Sequence, residues 1–60
     1  MFIKVKDREY GHSDDVLINT ERIDKIRKEG DNYLLVFSRV NVEVDKEDAQ
    51  KIFKAIGVSL

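Results

Sequence analysis

The stretch GHSDDV, residues 11–16, holds the single histidine of the chain, His12, just ahead of the acidic pair Asp14 and Asp15. Imidazole and carboxylate are common zinc ligands and proton carriers, so this cluster is the first place to look for metal or acid–base chemistry. A catalytic zinc usually takes three protein ligands, however, and the chain has no second histidine and no cysteine. Glycine, serine and aspartate together favour a turn, and a turn is the reading we adopt for the segment. A second acidic group, Glu43, Asp45, Glu47 and Asp48 in VEVDKEDAQ, suggests magnesium or calcium. Its spacing lacks the alternating oxygen ligands and central glycine of an EF-hand, and it fits the start of a helix, where free N–H groups favour negative charge. Ser13, Ser38 and Ser59 sit in no nucleophile motif, and the three isolated glycines form no phosphate loop. The residues predict a non-enzymatic protein with no cofactor and no bound metal.

Binding chemistry is better represented. Lys25, Arg27 and Lys28, with Arg39 further on, are candidates for phosphate contact, and Tyr33 could stack on a base. Glu21, Asp24, Glu29 and Asp31 interleave with them and would cancel much of that attraction, so a solvated face is the plainer reading. Phe2, Tyr10 and Tyr33 are the candidate anchors for a protein partner or a dimer contact, because aromatic side chains dominate such interfaces. Phe2 is the most informative of them.

These residues must be carried by a few short elements. MFIKVKD, residues 1–7, alternates, with Met1, Ile3 and Val5 facing one way, Lys4 and Lys6 the other, and Phe2 the exception on the polar side. After the connecting turn REYGHSDD, Val16, Leu17 and Ile18 make a second strand, which pairs with the first as a hairpin. Residues 19–29 carry too few apolar side chains for a packed helix face; the segment reads as a helical turn near Asn19 or Thr20, then an irregular strand from about Ile23 to Glu29. Gly30, Asp31 and Asn32 turn the chain into Tyr33–Ser38, an apolar run that should be covered on both faces. Val40, Val42 and Val44 then point inward from VNVEV. Ser38 and Arg39 give weak turn chemistry, so the segment 34–44 is either a tight hairpin or, as the lesser alternative, one strand exchanged between protomers.

The last element is the best specified. Asp45 is an N-cap, Asp48 an acid in the first turn, Ala49, Ile52, Phe53 and Ile56 form one apolar stripe, and Gly57 ends the helix. Lys46, Gln50, Lys51 and Lys54 form its wet face. The predicted architecture is α+β: a small antiparallel sheet of four or five strands with one C-terminal α-helix packed on it.

Sixty residues make one domain, 1–60, because so short a chain buries only about 60% of its unfolded surface. No cysteine staples it, and self-association, most simply as a homodimer, is a natural supplement to such a small core. Eleven basic and twelve acidic residues leave a net charge of −1, which gives no overall attraction for nucleic acid or anionic lipid. The longest apolar runs fall far short of the ~20 residues that span a bilayer, and the charged N-terminus does not read as a secretory signal. The expectation is a cytoplasmic protein with no membrane association.

The pattern VLINTERIDKI, the turn EGDNYLLVF and then VNVEVDKEDAQKIFKAI resemble the FlbD-like family of small flagellar-operon proteins in bacteria and phages. Hydrophobic positions carry most of the likeness, with Asn19, Ile23, Ile26 and the turn at Gly30, over nearly the whole chain. The chain departs from that pattern where its last hairpin lacks an asparagine–glycine turn and in the GHSDDV segment. The resemblance implies the same sheet-plus-helix fold and a bacterial or phage setting; it supplies no catalytic residue. Taken together, the sequence predicts a non-enzymatic protein-interaction module, self-associating, acting as an accessory or regulatory protein on a host factor. The alternative is a nucleic-acid-binding regulator using Lys25, Arg27, Lys28 and Arg39.

Overall fold

A computed structural model describes residues 1–59. Five short strands, β1 (Phe2–Asp7), β2 (Asp14–Asn19), β3 (Lys25–Glu29), β4 (Asn32–Val36) and β5 (Asn41–Val44), precede the helix α1 (Lys46–Ile56). The α+β class holds, and the strands divide into two antiparallel sheets, β1-β2 and β3-β4-β5, rather than one.

Each turn follows from its residues. Single 3-10 turns at Glu9–Gly11 and Thr20–Arg22 join β1 to β2 and β2 to β3, the second capped by the Asn19 side chain, which accepts from the Glu21 N–H. The predicted helical turn near Thr20 and the strand after it are both present. Between β3 and β4, Gly30 takes φ 61° and Asp31 does not have positive φ, the sign pattern of a II′ hairpin, whose twist matches that of its strands. Between β4 and β5, Ser38 and Arg39 also lack positive φ, and one bond, Phe37 N–H to the Val40 carbonyl at 2.9 Å, closes the hairpin within the chain. That turn does not match strand twist, the ladder stops at Asn41, and Val40 lies outside it, 61% exposed rather than inward. At the other hairpin, Asp14 and Asp15 belong to β2 and not to the turn. Asp15 can be there because Lys6 and Lys4 hold it across the strand pair, at 2.8 and 3.8 Å.

The helix is as expected. Asp45 accepts from the Asp48 N–H, Gly57 ends it at φ 79°, and Ala49, Ile52 and Phe53 are buried, while Ile56 is partly exposed. Its apolar stripe meets Val5 and Ile18 from the first sheet and Tyr33, Leu35, Val42 and Val44 from the second. Tyr33 meets Phe53 edge to face, with ring centroids 5.5 Å apart.

Polar bonds span the seam between the sheets. Arg8 N–H donates to the Glu43 carbonyl at 2.7 Å, Glu43 N–H to Asp7 Oδ1 at 3.2 Å, and Lys6 N–H to Asp48 Oδ2 at 2.9 Å. The Arg8 guanidinium pairs with Asp45 at 3.0 Å, fastening the end of β1 to the helix cap. A carboxylate of the first helical turn thus takes the place of a ladder carbonyl. No helix is long and apolar enough to cross a membrane among the described residues.

Candidate functional site

The ladder of the first sheet determines which backbone groups are spent. Thr20 N–H donates to the Met1 carbonyl at 2.9 Å, and in the register that pairs Ile3 with Ile18 and Val5 with Val16, bonded pairs alternate with unbonded ones. The bonded pairs are therefore Ile3/Ile18, Val5/Val16 and Asp7/Asp14. Lys6, on an unbonded pair, indeed turns its N–H outward to Asp48. By the same alternation, the N–H and C=O groups of Asp15, Leu17 and Asn19 point out of the free edge of β2.

Apolar side chains gather beside that edge. Leu17 is 69% exposed and Phe2 67%, and the register makes them diagonal neighbours on the outer face of the β1-β2 pair. With Val40 and the half-buried Phe37 and Val16 they border a groove of about 400 Å³ between β2 and the β4-β5 turn, whose polar border is Asn19 and Arg22. Exposed apolar residues grouped against open backbone are the composition of a strand-addition site.

The edge of β3 differs. There Lys25, Arg27, Lys28 and Glu29 flank a single apolar residue, Ile26, and charge on an edge strand opposes pairing with another chain. Beside it lies a larger groove of about 770 Å³, floored by Tyr33 and Phe53 and bordered by Ile23, Ile56, Lys25 and Lys28.

Of the three aromatic anchors read from the sequence, only Phe2 lies at the β2 groove. Tyr33 is 8% exposed and packs on Phe53, so it is a core residue and not a free anchor; its place in a near-continuous apolar run was the signal. Tyr10 stands apart at the β1-β2 connection, 92% exposed. The four basic residues do not form one patch: Lys25 and Lys28 border the groove beside β3, but Arg27 is paired with Glu29 at 2.9 Å and Arg39 sits in the β4-β5 turn.

His12 is exposed, and its backbone N–H closes the first 3-10 turn on the Glu9 carbonyl at 3.0 Å. Asp15 faces Lys6 and Lys4 instead, and the hydrogen bond and charge of Lys6, then the charge of Lys4, hold its carboxyl below the usual range. Among the described residues no group of three or more His, Cys, Asp or Glu is placed to hold a metal ion. Sequence reasoning passed over Leu17 and Val40. The signal for Leu17 was present, since in the run Val16–Leu17–Ile18 alternation obliges one apolar side chain to face away from the core.

No protein-family model, curated protein or solved structure matches the chain.

Proposed function

We propose that this chain is a non-enzymatic, self-associating protein-interaction module of bacterial or phage origin that works in the bacterial cytoplasm, associates through the β2 edge and its apolar border, and adjusts a host factor. The observation that carries the reading is the exposure of Phe2, Leu17 and Val40 beside backbone groups left unpaired by the β1-β2 ladder. An added strand would supply those hydrogen bonds, and its side chains would cover the groove. The FlbD-like resemblance supports the bacterial or phage setting.

The test is a tagged pull-down from bacterial lysate, with and without nuclease, at low and moderate salt, comparing the native chain with Phe2→Ser. A protein retained through nuclease and salt, and reduced roughly tenfold or more by Phe2→Ser, is the expected result for an aromatic contact. Recovery of nucleic acid alone, lost as salt rises, would replace this reading with phosphate binding by Lys25, Arg27, Lys28 and Arg39.

A further inference from the structure

Strand β2 has a charge pattern that complements its own reverse. It begins with Asp14 and Asp15, runs through Val16, Leu17 and Ile18, and ends at Asn19, with Arg22 in the turn that follows. Asp15 is already engaged by Lys4 and Lys6, and Glu21 by the N-terminal ammonium at 3.2 Å. Asp14 and Arg22 have no ion-pair partner among the described residues, and Asp14 lies across from another acid, Asp7.

We infer that β2 pairs antiparallel with β2 of a second copy about a two-fold axis at Leu17, joining the two β1-β2 sheets edge to edge. This rests on the reading of the β2 edge as an interaction surface and names its partner. With Leu17 opposite Leu17 of the second copy, Val16 faces Ile18, Asp15 faces Asn19 and Asp14 faces Thr20. No two acids meet. The outward backbone groups of Asp15, Leu17 and Asn19 are those that a new ladder in this register needs, because Leu17 falls on a bonded pair and Asp15/Asn19 on the next.

The same two-fold brings Arg22 of each copy to the Asp14 end of the other, twice over. It also doubles the apolar border, so that Phe2 and Leu17 from each copy lie on one continuous face. An isologous contact of this kind closes on itself, because it uses up the one free edge of β2 in each copy. The contrast with β3 points the same way: that edge carries charge at nearly every position, while the middle of β2 has neither charge nor proline to deter pairing.

Sedimentation equilibrium on the full chain tests the pairing, with circular dichroism confirming the fold of each variant. The native chain should show a concentration-dependent mass of twice 7.0 kDa, and Leu17→Lys should be monomeric. Asp14→Arg and Arg22→Asp should each weaken the homodimer by about tenfold or more, since each places like charges together at both contacts. An equimolar mixture of the two variants should restore association, because both contacts are then attractive. This mixing result does not depend on either variant alone.

A native chain that stays monomeric at about 1 mM, weaker than any specific dimer of use, overturns the pairing. So does a dimer that survives Leu17→Lys, or variants that fail to rescue each other. A monomer that still captures a lysate protein through Leu17 contradicts the two-fold pairing and leaves the interaction reading standing; a monomer that captures nothing contradicts both.

Discussion

Tyr10 adopts φ 55° and ψ 31°, the left-handed region that costs a non-glycine residue about 1–2 kcal/mol, and its ring is almost wholly exposed. Little burial offsets that cost. Replacing it with glycine removes the Cβ clash and adds about 0.5–1 kcal/mol of unfolded-chain entropy, so Tyr10→Gly should raise the unfolding free energy by roughly 0.5–1 kcal/mol. Urea denaturation measures it, and an unchanged or lower midpoint would mean that the ring has a packing role. The sequence revealed the turn here but not this strain, since positive φ falls on Tyr10 as well as on Gly11, at φ 77°, and a tyrosine does not announce it. His12 was legible as a turn residue for a simpler reason: no second histidine and no cysteine was available to join it.

Helix α1 was legible to both ends because cap, stripe and terminator agree. What its sequence did not show is that Asp48 has two tasks, accepting from the Lys6 N–H at 2.9 Å and meeting Lys51 at 3.1 Å while following the cap. Partial burial pushes the Asp48 carboxyl up, but the hydrogen bond from Lys6, with Lys51 and Arg8 nearby, outweighs it and holds the group below its usual range. A depressed folded value means that this contribution to stability is complete above the ordinary carboxylate range, near 4, and is lost as pH falls through the lower folded value. Thermal unfolding of the native chain should therefore lose stability below about pH 4 more steeply than that of Asp48→Asn, which keeps an acceptor but cannot titrate. Parallel acid profiles would contradict the role assigned to Asp48. The strands were read less completely. Val40 defied the alternation of VNVEV because the Ser38–Arg39 turn ends the ladder early, and Asp15 joined a strand because Lys6 stood across from it and Lys4 beside that, carrying Asp14 along opposite Asp7; both depend on residues distant along the chain or on turn twist.

The whole molecule is two small sheets around one helix, fastened at the seam by Arg8, Asp45, Asp48 and Glu43. That division was not legible, since an edge bridged by a single backbone bond and by side chains, rather than by a ladder, leaves no periodic trace in sequence. The consequence of the division is two free edges, one guarded by charge at β3 and one left apolar at β2. The interaction reading depends on the second. Phe2 was found by its break in the polar face of β1; Leu17 and Val40 emerged only once the register was known. Amide hydrogen exchange, followed residue by residue as the protein concentration is raised, tests this claim most directly. The Ile18 and Val16 amides should be protected at every concentration by their bonds to β1, while those of Leu17 and Asn19 should exchange rapidly when dilute and become protected as association covers the edge. Rapid exchange at Leu17 that no concentration of the protein slows, with no partner from lysate slowing it either, would contradict the account.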